Sequence, residues 1–438
     1  MSVQQTFICL AGGLLLLPAV CLAQAEIDFF RDNDRTAWSW DLASGIDTYL
    51  HTYALALDDT SEALAEFMVQ AGFQGRSARQ SRHRWRLRAE ASTGTELWRQ
   101  RLEGDYRYLD KGRVTRFRLL GHFWGRQYKQ TTEYVLSSDN LEGRLEARVY
   151  PLVGRTAALD LRAWGGLIDY KTPSTLEVDY KDAGGGVFVR SQTLGSHMWG
   201  GGVRRARRAY PDSSEIDRDT WSVEADYDYQ NLDGQGIRLF HKSDRRLIAD
   251  ETVRPSAWTH WTDLNSLVNA GAGQVYLDVQ SEIWKYDQET DVYIDSWLTQ
   301  TALGYRWGDV LSAIWKAGPV LERLDAGDSP ETYTQLGVRA GVESYGSAVT
   351  GSVTLEYGRR IYDQGEVALD DGSGDIAGFQ TIDLYTDFNY WKIWLLGSWR
   401  ISRKFSLDFL ANYEPENHTE QTDDSAIGFA SLHLIWRP

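Results

Sequence analysis

The strongest constraint on this chain is a run of strict alternation from Arg82 to Arg126. In Arg82–Ser92, Trp85, Leu87, Ala89 and Ala91 fall on one side of a period-two strand, and Arg84, Arg86, Arg88 and Glu90 fall on the other. After Ser92-Thr93-Gly94-Thr95 the pattern returns. Trp98, Leu102, Tyr106 and Tyr108 oppose Arg99, Arg101, Glu103, Asp105 and Arg107. After Asp110-Lys111-Gly112 it returns again, with Phe117, Leu119, Gly121 and Phe123 against Arg116, Arg118 and His122. Three consecutive strands therefore share one apolar face and one face dense in guanidinium.

Strands of a water-soluble sandwich usually run about 5 to 6 residues. These run about 10 to 13, the length a tilted strand needs to cross a bilayer. The reading is all-β: a transmembrane antiparallel up-and-down barrel of about 16–18 strands, with the charged face on an aqueous lumen and the aromatic face on lipid. The other reading is a large soluble all-β protein whose arginines form a solvated face.

Composition supports the barrel. The chain has 18 Trp and 23 Tyr, yet its mean hydropathy is −0.44; a barrel uses such aromatics in two interfacial girdles. The formal net charge of −16 argues against a nucleic-acid partner. Acidic residues gather in expected loops, Asp363 to Asp375 and Glu414 to Asp424. Residues 1–23 read as a secretory signal peptide, apolar from Phe7 to Ala23, with Cys21-Leu22-Ala23 or Ala23-Gln24-Ala25 as the cleavage site. Both cysteines, Cys9 and Cys21, lie in this segment, so the remainder has no thiolate for a disulfide or a metal. No later run reaches the ~20 apolar residues of a membrane helix. A spanning protein would then be a closed barrel.

Residues 24–81 are the least regular segment. Ser39 to Leu57 suits a first strand, Glu62 to Ala71 has helical spacing at Leu64, Phe67, Met68 and Ala71, and the segment reads as a loop or a plug ahead of a barrel over 82–438. Further on, Leu141 to Tyr150 turns Glu142, Arg144, Glu146 and Arg148 inward, and Thr220 to Tyr229 turns Glu224, Asp226 and Asp228 inward. From the carboxyl end backwards, long and short connections alternate, as a barrel requires. Ile248 to Ala272 breaks that alternation and reads as a long loop whose Trp258 and Trp261 form a gate or plug. No repeated motif is apparent.

The leader, the cysteine-free remainder, the charged-in and aromatic-out strands and the terminal strand Ile427 to Trp436 together resemble Gram-negative outer-membrane β-barrel proteins. Trp436 is similar to the terminal aromatic of that class, although Arg437 and Pro438 follow it. The resemblance implies outer-membrane localisation, with lipid, lipopolysaccharide and the barrel-assembly machinery as partners. An arginine-lined lumen is similar to alginate-export-type barrels and to anion-preferring porins. It implies a channel for polar or anionic solutes, with acidic exopolysaccharide included.

The basic lining would be Arg84, Arg86, Arg88, Arg99, Arg101, Arg116, Arg118, Arg144 and Arg148, and the acidic lining Glu224, Asp226 and Asp228. Like charges so close need counter-charge, either an acidic wall across the lumen or an anionic solute. A non-transporting adhesin or assembly component is the alternative. A barrel hydrolase is weighed on His83, His122, His197 and His433, but no flanking pattern marks a nucleophile. The loop Asp370 to Asp375 has oxygen ligands at a spacing suited to Ca²⁺ without the EF-hand register, so neither metal nor cofactor is expected.

Overall fold

A computed structural model describes residues 36–55, 58–78, 80–94, 97–128, 139–154, 156–171, 178–191, 196–290, 292–309, 312–327, 329–363, 386–418 and 424–437. The leader and the Asp370 to Asp375 loop lie outside these residues. The strands are β1 (Ala37–Leu55), β2 (Asp58–Arg76), β3 (His83–Gly94), β4 (Leu97–Leu109), β5 (Thr115–Tyr128), β6 (Asn140–Val149), β7 (Ala157–Tyr170), β8 (Tyr180–Ser191), β9 (His197–Ala209) and β10 (Arg218–Gln230). They continue as β11 (Gly236–Ile248), β12 (Ala257–Ala270), β13 (Gly273–Tyr286), β14 (Ser296–Asp309), β15 (Ala313–Asp325), β16 (Tyr333–Tyr345), β17 (Val349–Tyr362), β18 (Phe388–Arg400), β19 (Phe405–His418) and β20 (Ser425–Trp436). Each pairs antiparallel with its sequence neighbours, and β20 pairs with β1, so the sheet of 20 closes without an edge.

The count corrects the expected 16–18. Two strands are hidden in the sequence, and one is left open by it as one strand or two. Glu62 to Ala71 is the middle of β2, not a helix: Phe67, Val69 and Phe73 point out and are exposed, while Glu66 and Met68 point in and are buried. The described residues of that segment, from 36 on, thus give two wall strands. Ile248 to Ala272 contains β12, whose faces are blurred because Trp and Leu fall on both. The sequence offers Thr175 to Lys181 and Val187 to Leu194 as two strands or one long one, and the described residues Tyr180–Ser191 form one, β8.

With β12 in place the alternation of connections has no exception after β5. One end of the barrel carries both chain termini of the wall and turns such as 271–272, where Gly271 adopts φ +60° in a two-residue hairpin. The other end carries the long connections, 171–179, 287–295 and 363–387 among them. There a clasp recurs. The backbone N–H of the residue closing one strand donates to the side chain of the residue opening the next: Tyr170 to Asp179, Tyr210 to Asp217 and Tyr286 to Asp295, all 2.7 Å. The same bond joins Tyr362 to Asp387 at 2.9 Å and His418 to Asp424 at 2.7 Å, and Ile248 uses Ser256 at 3.0 Å. Each satisfies a backbone donor at the point where the ladder ends. The clasp recurs at differing sequence spacings, so it repeats in the structure and not as a motif of the sequence.

Most of the exposed large apolar side chains lie outside. On β14, Trp297 and Trp307 face out ten residues apart, both exposed. At ~2.6 Å of membrane depth per tilted residue they are ~26 Å apart, matching the ~25 Å apolar band of this class. No helix among the described residues is long and apolar enough to cross a membrane.

Candidate functional site: the lumen wall

Residues paired across a ladder share a face, so the register carries the lumen side from strand to strand. On β3 and β4, Arg84, Arg86, Arg88, Glu90 and Ser92 sit opposite Arg107, Asp105, Glu103, Arg101 and Arg99. The same face continues through Arg118, His122 and Arg126 on β5 to Arg148, Arg144 and Asn140 on β6. The structure therefore brings the nine expected arginines onto one side of four neighbouring strands, with Arg116 at the rim.

Their counter-charge is local. Residues i and i+2 of a strand share a face, and that is where most partners lie. Arg88 pairs with Glu90, Arg101 with Glu103 (2.9 Å) and Arg148 with Glu146 (2.5 Å). Asp105 serves two guanidinium groups, Arg118 (2.8 Å) and Arg107 (2.6 Å). Arg144 reaches Asp182 on β8 (3.8 Å), and Arg99 reaches Asp47 (3.6 Å) and Glu66 (3.8 Å). At the rim Arg116 meets Asp110 at 2.8 Å. The Val114 N–H and then this guanidinium hold the Asp110 carboxyl below the usual carboxylate range. Among the described residues Arg84 and Arg86 make no ion pair, and Arg84 Nε is buried without a hydrogen-bond partner. Arg86 lines a cavity of about 610 Å³ with Arg88, Asp105, His122 and Arg144.

Glu224, Asp226 and Asp228 also face the lumen, opposite Lys242, Phe240 and Arg238 of β11. None of them pairs with the arginines of β3–β6. A balancing acidic wall across the lumen is thus corrected: the carboxylates that meet those arginines are on the same or nearby strands. Gly200 gives Asp226 its room, since a Cβ there would lie 2.5 Å from the carboxylate. The gate expectation is corrected as well. Trp258 and Trp261 are wall residues on opposite faces of β12, Trp258 outward and stacked with His260, Trp261 inward on a cavity of about 260 Å³ with Lys242, Arg246 and Glu282.

Among the described residues His83, His122, His197 and His433 form no relay with one another. His83 and His197 face out, within hydrogen-bond distance of the Tyr106 and Tyr227 hydroxyls (2.7 and 2.8 Å). His122 meets Glu142 at 3.2 Å, and His433 meets Asp47 at 2.9 Å across the closing seam. Ser243 Oγ lies between His241 (3.0 Å) and His260 (2.8 Å) on the outer face, and no carboxylate among the described residues hydrogen-bonds either ring.

Sequence reasoning missed a second polar wall on β15–β18. There the Tyr333 hydroxyl donates to Glu322 (2.5 Å), Arg360 to Gln335 (3.0 Å), and Tyr390 and Arg339 to Glu356 (2.9 and 2.7 Å). Tyr333, Tyr362, Phe388 and Tyr390 pack beside it as a buried cluster. Its only signal was the alternation of Gln335, Gly337 and Arg339 with Leu336 and Val338.

No family model and no curated protein matches the chain. Solved structures do. The copper transporter OprC is similar over 93% of this chain and 81% of its own, with 11% identity and a TM-score of 0.52. The outer membrane protein opdK from Pseudomonas aeruginosa is similar over 92% and 99%, with 11% identity and a TM-score of 0.43. Pseudomonas aeruginosa OccK2 (OpdF), solved in complex with glucuronate, is similar over 91% and 98%, with 9% identity and a TM-score of 0.42. At such identities the likeness is one of fold. The closed topology, the apolar outer band and this likeness of fold make the chain a β-barrel of the outer-membrane type.

Proposed function

We propose that the barrel is a passive channel for small polar solutes with a preference for anions. The observation that carries this reading is the lumen face of β3–β6, where guanidinium outnumbers carboxylate and Arg84 and Arg86 have no ion-pair partner. A solute in a pore feels wall charges within about one Debye length, ~8 Å at physiological salt, more than the distant acidic loops. Export of acidic saccharide chains would call for a longer run of unengaged arginines, and most of these are already met by carboxylates. The long-connection end carries outward cations beside tryptophans, such as Arg205 near Trp221 and Arg245 near Trp258. That arrangement suits phosphorylated lipopolysaccharide and supports reading this end as the outer one. The terminal strand ending in Trp436 would be the part offered to the barrel-assembly machinery.

The test is single-channel conductance and reversal potential in a planar bilayer. Replacing Arg84 and Arg86 by Gln should shift selectivity toward cations while heat-modifiable folding is retained. A folded variant with the parent's reversal potential would refute the anion preference, and a folded barrel with no conductance would favour a non-transporting adhesin.

A further inference from the structure

A second group of arginines stands apart from those described above. Arg208 on β9 is directly opposite Arg218 on β10, and Arg246 on β11 is opposite Thr220, the next lumen-facing residue after Arg218. Arg254, in the connection 249–256, lies within electrostatic reach of both Arg218 and Arg246. All four are half-buried. They crowd together near the long-connection mouth, and none makes an ion pair among the described residues.

The carboxylates around them are engaged elsewhere. Asp182, opposite Arg208, turns to Arg144 (3.8 Å). Asp217 takes the Tyr210 N–H, and Asp219 pairs with Arg205 (2.9 Å). Asp244 pairs with Lys242 (2.5 Å), and Glu282 accepts from Trp284 Nε1 (2.6 Å). The guanidinium planes are instead fixed by rings. Arg208 lies 3.8 Å over Tyr180, Arg246 4.4 Å over Trp284 and Arg254 5.7 Å over Tyr293. A stacked guanidinium keeps its N–H edges free for an oxyanion. On β3–β6 arginines are mostly neutralised in place; here four make no ion pair among the described residues, and three of them are oriented by aromatic faces.

The geometry points to an anion-binding site at this mouth, formed by Arg208, Arg218, Arg246 and Arg254, for small solutes bearing two or more negative charges. Several converging forks match a di- or tricarboxylate or a phosphate better than a monoanion, because each added charge meets another guanidinium. The ring faces beside them would cover the carbon skeleton. The site deepens the channel reading, and rests on it for the solute's route; its binding step does not require conduction.

The experiment is calorimetric titration of the full-chain barrel in detergent, at low ionic strength, with citrate, inorganic phosphate and acetate. Citrate or phosphate should bind and acetate should not, and whichever of the first two binds names the source of the charge. Binding should weaken with salt. Changing Arg218 and Arg246 to Gln should raise the Kd at least about tenfold, the scale of a lost charge-assisted hydrogen bond, whereas Lys404→Gln, exposed in the turn 401–404 at the other end of the barrel, should leave it unchanged. No binding by the wild type, or undiminished binding by the folded double variant, overturns the site. Should that variant fail to fold, Arg254→Gln lies outside the strands: a loss of about threefold or more, the scale of one partly exposed charge contact, supports the site, and no loss overturns it. A wild type that binds citrate without conducting refutes the channel and leaves the site standing. One that conducts anions without binding citrate or phosphate does the reverse.

Discussion

Val338→Arg is the sharpest test of which face meets lipid. Val338 points out from β16 and is 61% exposed, between Pro319 of β15 and Tyr357 of β17. It stands five residues in from Tyr333 at the long-connection rim. At ~2.6 Å of depth per residue that is ~13 Å, close to the middle of a ~25 Å apolar band. An arginine there can extend only part of the way to either interface, and the outward residues flanking it on its own strand, Leu336 and Ala340, carry no charge. The cost should therefore be about 2–4 kcal/mol, the midplane value for this class of barrel. That lowers the folded-to-unfolded ratio by a factor of roughly 30 to 1,000. Gln300→Arg is the control. Gln300 faces the lumen and donates to Glu322 at 2.7 Å, so an arginine keeps its partner and the change should stay within about 1 kcal/mol. The assay is reversible urea unfolding from phospholipid vesicles, followed by tryptophan fluorescence. Tolerance of Val338→Arg together with a loss at Gln300→Arg would mean that the two faces are exchanged.

Three further outcomes are expected. With the long connections outside, Thr290→Cys should react with an impermeant thiol reagent on intact cells and Ser347→Cys, in the turn 346–348, should not; the opposite pattern inverts the orientation. At the long-connection rim Asp287 and Asp363 are clamped by both guanidinium nitrogens of Arg245 and Arg323, which hold the carboxyls below their ordinary range. A depressed folded pKa gives stability that is complete above the ordinary value of ~3.9 and is lost as pH falls through the folded value. A spin label on Thr290→Cys should accordingly stay restricted from pH 8 down to about 4 and loosen only below; loosening near pH 6 to 7 would assign the clamp to another group. At the closing seam, a Cβ on Gly45 would run into the His433 ring and the Leu432 carbonyl. Gly45→Ala should cost about 1–3 kcal/mol of overpacking, while Gly104→Ala, with nothing within 4 Å of its Cβ, should not lower the urea midpoint.

Fold class was legible because period two is enforced twice over in such a wall, once by lipid and once by water. Where both solvents act on consecutive residues, as along β3–β6, side and sign could be read from the chain alone. Where a strand is shielded, the signal fades. Glu66 and Met68 of β2 are buried against β1 and β3, so the polar face need not be uniformly polar, and the spacing of Leu64, Phe67 and Met68 imitates a helix. β12 fails for the other reason, since Trp261 faces the lumen and His260 faces out.

The partners of the charges belonged wholly to the tertiary structure. Sequence fixes that Arg88 and Glu90 share a face; it cannot say that Asp105 serves arginines from both its own strand and β5, or that Asp182 turns to Arg144 and leaves Arg208. Those choices follow from register, because a one-residue slip between strands exchanges every neighbour. The ring that closes β20 on β1 is likewise a long-range decision, made between residues as distant as Asp47 and His433. Alternation along the chain thus determined which side of the wall each residue takes, and closure with its register determined which charges are neutralised and which remain available to a solute.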